Sequence, residues 1–144
     1  MERSKIVYKD RNQEIREAIS AGEYALSCLY DARSKLNSAS TWGIIDIFGG
    51  GLISTFLKHS RIDEARNSMT QARNALQSFS KELRDVDSMQ PGFDVDGFLS
   101  FADFFFDGVL VDVLVQSRIS KAKTQVDDAI RRVEDMIRTL KAYT

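Results

Sequence analysis

Apolar residues recur with a helical beat along most of this 144-residue chain. Between Ile62 and Val86 they fall at Ile62, Ala65, Met69, Ala72, Leu76, Phe79, Leu83 and Val86, spaced alternately by three and four. That is an a/d seam at about 3.5 residues per turn, held for more than three heptads. The intervening residues are mostly polar, among them Asp63, Glu64, Arg66, Asn67, Gln71, Arg73 and Asn74. The spacing predicts an amphipathic helix over about 60–88, stopped by Pro91-Gly92. Ile119, Ala122, Val126, Ala129, Val133, Met136, Leu140 and Tyr143 repeat the beat and predict a helix over about 117–142. Ile130 and Ile137 widen its stripe, so it is expected to touch more than one neighbour. A weaker version, with Ile15, Ile19, Gly22, Leu26, Leu29 and Leu36 on one face, predicts a first helix over about 8–37. Arg33 fills one seam position there, and Ala18, Ala25 and Ala32 run alongside.

Two apolar connectors, 42–58 and 98–115, separate these helices. Each reads as a short apolar stretch of helix, a glycine break, and an apolar run leading straight into the next seam. The run 109–115 is read as helix rather than strand because it continues into that seam. Residues 45–83 superpose on 102–140 without a gap, and ten of the 39 pairs are identical, against about two or three by chance. Three long helices and an internal repeat in a chain of this length imply one all-α domain, 1–144. The expected architecture is an antiparallel helical bundle or coiled coil with both connectors packed at one end. Wide stripes and two apolar connectors offer more apolar surface than one subunit is expected to bury, so a homo-oligomer, most simply a twofold dimer, is expected. A further protein partner fits the same surface.

Net charge is −1, which gives no field toward nucleic acid. The Phe-rich run 98–106 is acidic, which also disfavours nucleic acid. The stretch 85–117 holds seven aspartates and neither Lys nor Arg, and is expected to pair with the basic flanking segments. Asp103, Asp107 and Asp112 would each cost on the order of 3 kcal/mol near a bilayer centre, so a membrane span is not expected. Peripheral attachment through the Phe-rich connector is the weaker membrane reading, since the basic face common to such segments is missing. A single cysteine, Cys28, excludes an intrachain disulfide. It lies among apolar helix residues and reads as a small core hydrophobe. The charged N-terminus lacks the apolar run of a secretory signal, and a cytoplasmic protein is expected.

Candidate chemistry is sparse. Asp46 and Asp103 occupy equivalent places in the two repeats, each five residues before a glycine and among large apolar residues. A carboxylate buried there needs a cap, an arginine, a cation or a proton. Asp103 and Asp107, at i and i+4, share a helix face. His59 is the single histidine. Asp46, Asp103, Asp107 and His59 are therefore the candidate metal ligands. The chain lacks the Glu-x-x-His pairs of carboxylate di-iron bundles, and Asp94-x-Asp96-Gly97 does not meet EF-hand spacing. Gly49-Gly50-Gly51 has no Gly-Lys-Ser/Thr ending and is not a phosphate loop. No complete catalytic set and no cofactor motif is present.

The stretches Thr41-Trp42-Gly43…Asp46-Ile47-Phe48-Gly49-Gly50-Gly51-Leu52-Ile53 and Phe101-Ala102-Asp103-Phe104-Phe105-Phe106-Asp107-Gly108 resemble the two signature elements of a family of small, uncharacterised bacterial helical proteins. With Lys58-His59-Ser60-Arg61-Ile62-Asp63-Glu64-Ala65 and Gln116-Ser117-Arg118-Ile119 they cover about half the chain. The resemblance implies a bacterial, soluble, helical protein and brings no established activity and no functional residues. The reading that follows is a non-enzymatic structural or interaction protein. A metal-binding bundle or metal-dependent enzyme using the aspartates is the alternative.

Overall fold

The computed structural model describes the backbone of residues 11–49, 52–89, 95–104 and 119–143, and side chains within 11–38, 63–87, 95–103 and 121–143. Four helices make up nearly all of it: α1, Arg11–Gly49; α2, Leu52–Met89; α3, Asp96–Phe104; and α4, Ile119–Ala142. The fold is an all-α bundle. The run 109–115 lies outside the described residues.

Polar ties fix how the helices run. Ser68 Oγ donates to Asp31 Oδ2 at 2.8 Å, and Lys35 Nζ lies 4.0 Å from Glu64 Oε2. In both pairs the residue numbers sum to 99, so α1 and α2 are antiparallel, and the chain reverses between Gly49 and Leu52. The sequence places three glycines, Gly49 to Gly51, at that reversal. Arg33 Nη1 lies 3.4 Å from Asp127 Oδ1, and Lys141 Nζ lies 3.9 Å from Glu23 Oε1. Rising numbers on α1 meet falling numbers on α4, so α4 is antiparallel to α1 and parallel to α2. α1 is thus the central element, packed along both long partners.

The core follows the expected seams on α2 and α4. Ala65, Met69, Ala72, Leu76, Phe79, Leu83 and Val86 are buried, as are Ala122, Val126, Ala129, Val133, Met136 and Leu140. Ile130 and Ile137 are buried too, as the widened stripe of α4 implies. On α1 the seam differs from the expected one. The fully buried line is Ile15, Ala18, Gly22, Ala25, Leu29, Ala32 and Leu36. Ile19, Leu26 and Arg33 sit half-buried on its flank. The reason is geometric: a helix wedged between two others needs small residues along its midline, and its larger ones cover the edges. Gly22 marks the tightest point. A Cβ built there would lie 2.9 Å from Phe79 Cε1 and 3.0 Å from Ile137 Cγ1, so three helices converge on a residue without a side chain.

The connectors also differ from expectation. The first is no separate element: α1 runs on to Gly49 and α2 begins at Leu52, each lengthened by the apolar residues assigned to 42–58. At about 1.5 Å per residue each arm of the hairpin is nearly 60 Å long. The described part of the second connector is α3, and it packs far from the hairpin turn. Phe98 meets Phe79 edge-on, with ring centres 5.3 Å apart at 74°, and Phe101 tilts against Phe98 at 6.2 Å. The Arg132 guanidinium lies 4.6 Å above the Phe101 ring. α3 therefore covers the groove between α2 and α4, anchored by aromatic packing and a cation–π contact. Phe79 is some 27 residues from Leu52, so α3 packs at a level on the order of 40 Å along α2 from the start of that helix, and residues 105–115 of the second connector lie outside the described residues.

Candidate functional site

Of the expected ligands, Asp46 and Asp103 lie on separate helices, and the structure sets them at different levels of the bundle. Asp103 stands on α3 with its side chain exposed to solvent. It is no buried carboxylate, because the packed face of α3 is the one carrying Phe98 and Ala102. Asp46 belongs to the last turn of α1, near the hairpin reversal. α3 sits at the level of Phe79 and Arg132, which leaves Asp46 and Asp103 at levels about 25–40 Å apart along the bundle. His59 belongs to α2, close to the turn. The side chains of Asp46 and His59, and the whole of Asp107, lie outside the described residues.

A different carboxylate group assembles at the other end of the hairpin. Carboxylate oxygens of Glu14, Glu17 and Glu82 lie within 4.8 Å of one another. Glu14 and Glu17 share a face of α1 at i and i+3, and Glu82 faces Glu17 across the antiparallel register, their numbers again summing to 99. Glu14 is 6% exposed, and Gln13 Nε2 donates to Glu17 Oε1 at 3.4 Å. Three oxygen donors without histidine suit a hard cation completed by water, not a transition-metal centre. The sequence hid this group because its members are far apart in the chain. The Glu14-x-x-Glu17 spacing alone is too common to signal a site.

The second distinctive feature is aromatic. Tyr24 and Tyr30 on α1 are 63% and 40% exposed, the large hydrophobic residues left at the surface among those described. Tyr30 stands beside a groove of about 460 Å³ between α1 and α4, lined also by Arg33, Thr124, Asp127, Ile130, Arg131 and Glu134. Its cations are engaged: Arg33 pairs with Asp127 and lies 4.9 Å above the Tyr30 ring, and Arg131 pairs with Asp128 at 3.4 Å. Tyr24 stands beside a smaller cleft of about 170 Å³ with Gln71, Asn74, Ala75 and Ser78 of α2. A hydrogen bond with the Cys28 thiol, one turn along, raises the Tyr24 phenol above its ordinary value. An electrostatic contribution from Cys28 adds to that shift, and slight burial adds less. The phenol therefore stays neutral at physiological pH. Sequence reading placed Cys28 in the core, where it is, and did not single out Tyr24. Only the packing of Ala25 and Leu29 inward shows that Tyr24 faces out.

No helix among the described residues is long and apolar enough to cross a membrane. Comparison of the chain with protein-family models, with curated proteins and with solved structures finds no match.

Proposed function

We propose that this is a non-enzymatic interaction protein that works as a homo-oligomer in the bacterial cytoplasm. The observation that supports it most is the exposure of Tyr24 and Tyr30 on a bundle whose other large apolar side chains, among those described, are turned inward. Tyrosine left in water at the surface of a closed core is the kind of residue that protein interfaces collect, because it adds contact area at little entropic cost. The expectation of oligomerisation rested on surplus apolar surface from wide helical stripes. Within the described residues one chain buries those stripes itself, so the burden moves to the tyrosines. Sedimentation equilibrium over a wide concentration range tests the reading. The expected result is a mass rising from 16.3 kDa toward twice that value. A mass of one chain at every concentration would overturn it.

The cation-binding alternative draws support from Glu14, Glu17 and Glu82 rather than from the aspartates. Calorimetric titration with Mg²⁺, Ca²⁺ and Mn²⁺ tests it, with binding expected in the natural chain and lost in Glu82→Gln. Absence of binding by all three ions ends that alternative. Peripheral membrane attachment has less behind it. Phe98 is buried and Phe101 half-buried under Arg132, so two of the phenylalanines it relies on are occupied.

A further inference from the structure

Around Tyr24 the surface changes character. On α1 the residues flanking it are Ser20 and Ser27, and across the antiparallel register on α2 stand Gln71, Asn74 and Ser78, all exposed. None of these carries a charge, in a chain where 28% of residues do. The nearest charged residues in line with Tyr24 on α1 are Glu17 and Asp31, one heptad away on either side. Asp31 is engaged by Ser68, and Glu17 by Gln13. Glu23, next to Tyr24, is 3.9 Å from Lys141 of α4, on the side away from α2. The middle of the α1–α2 face is thus a neutral band of hydroxyl and amide groups, about 10 Å long, bounded on α2 by the exposed Lys81, with one aromatic ring standing in it beside a shallow cleft.

We propose that this face, centred on Tyr24 and the Gln71–Asn74–Ser78 strip, is where a second copy of the chain docks across a twofold axis. The proposal rests on the self-association reading above and gives it a location. The argument for a second copy is electrostatic. In an isologous contact every group near the axis meets its own counterpart, so a charged patch would face its own sign. A neutral patch avoids that repulsion, and carboxamides suit it because each both donates and accepts hydrogen bonds. The tyrosine supplies a rigid anchor of the type that dominates interface energetics, and the cleft beside it supplies a place for its symmetry mate. The neutral band is smaller than a standard interface, which buries about 800 Å² per partner, so the dimer it supports is weak and concentration-dependent.

The test compares the full-length chain with Tyr24→Arg, Asn74→Asp and Tyr30→Arg by sedimentation equilibrium, with circular-dichroism melting to confirm that each bundle is intact. Tyr24→Arg and Asn74→Asp each place like charges on both sides of the axis and are expected to weaken the dimer at least about tenfold, with the melt unchanged. Tyr30→Arg, on the α4 side, is expected to leave it as it was. If the natural chain dimerises and neither Tyr24→Arg nor Asn74→Asp weakens it, this face is wrong while self-association stands. If Tyr30→Arg alone dissociates it, the α1–α4 groove is the interface instead. If the natural chain is a monomer throughout, both the face and the reading beneath it fall.

Discussion

Gly22 is where α1, α2 and α4 come closest, and its missing side chain sets their spacing. Replacing a mid-helix glycine by alanine ordinarily gains about 1 kcal/mol of helix propensity. Here the new methyl would sit 2.9 Å from the Phe79 ring and 3.0 Å from Ile137, both on other helices. Overpacking of that kind costs about 1–3 kcal/mol, so the clash wins and Gly22→Ala lowers the unfolding free energy in a denaturant titration. Gly97 is its counter-example: a Cβ there meets nothing within 4 Å. Gly97→Ala is expected to raise stability by up to about 1 kcal/mol. A stabilised Gly22→Ala would mean that the helices are not as close as described. Tyr24 offers a spectroscopic check at the same scale. Its folded phenol holds the proton more tightly than an unfolded tyrosine, whose ordinary value is 10.0. The stability this brings is complete below pH 10 and is lost as pH rises through the higher folded value. Ultraviolet titration of Cys28→Ala is expected to move Tyr24 down toward 10, because the thiol is the main cause of the shift.

At the level of elements, α3 depends on few anchors, and Arg132 is the most economical to remove. It pairs with Asp128 at 3.0 Å on its own helix and covers Phe101 from α3. Arg132→Ala is expected to cost about 1 kcal/mol and to speed amide exchange in α3 while leaving α1 and α2 protected. Uniform loss of protection would show that α3 is no separate unit. The long helices were legible in the sequence because α2 and α4 each present an unbroken three–four spacing of apolar residues. α1 was legible as a helix but not in its orientation. Its buried line alternates Ile, Leu and Gly with Ala18, Ala25 and Ala32, and hydrophobicity alone ranks Ile19 and Leu26 above those alanines. Closeness of approach, which the sequence of one helix does not contain, decided for the small residues. The same limit concealed the carboxylate group. Glu14, Glu17 and Glu82 meet only once the register between α1 and α2 is known. Conversely, Asp46 and Asp103 looked alike by repeat position, yet one ends α1 while the other stands exposed on α3.

For the whole molecule, everything assigned to the surface depends on one arrangement: α1 antiparallel to α2 with residue numbers summing to about 99, and α4 laid antiparallel on the other side of α1. That register sets Ser68 against Asp31, brings Glu82 to Glu17, and puts Gln71, Asn74 and Ser78 beside Tyr24. Any slip along the hairpin would redistribute charge over the Tyr24 face. Disulfide trapping reads the register directly. With Cys28→Ala as background, Asp31→Cys combined with Ser68→Cys is expected to close within one chain under mild oxidation, since the two positions already lie within a hydrogen bond of each other. Asp31→Cys combined with Ser80→Cys, about 18 Å further along α2, is expected to stay reduced. Rapid closure of the second pair, or none of the first, would contradict the hairpin and with it the neutral face built upon it.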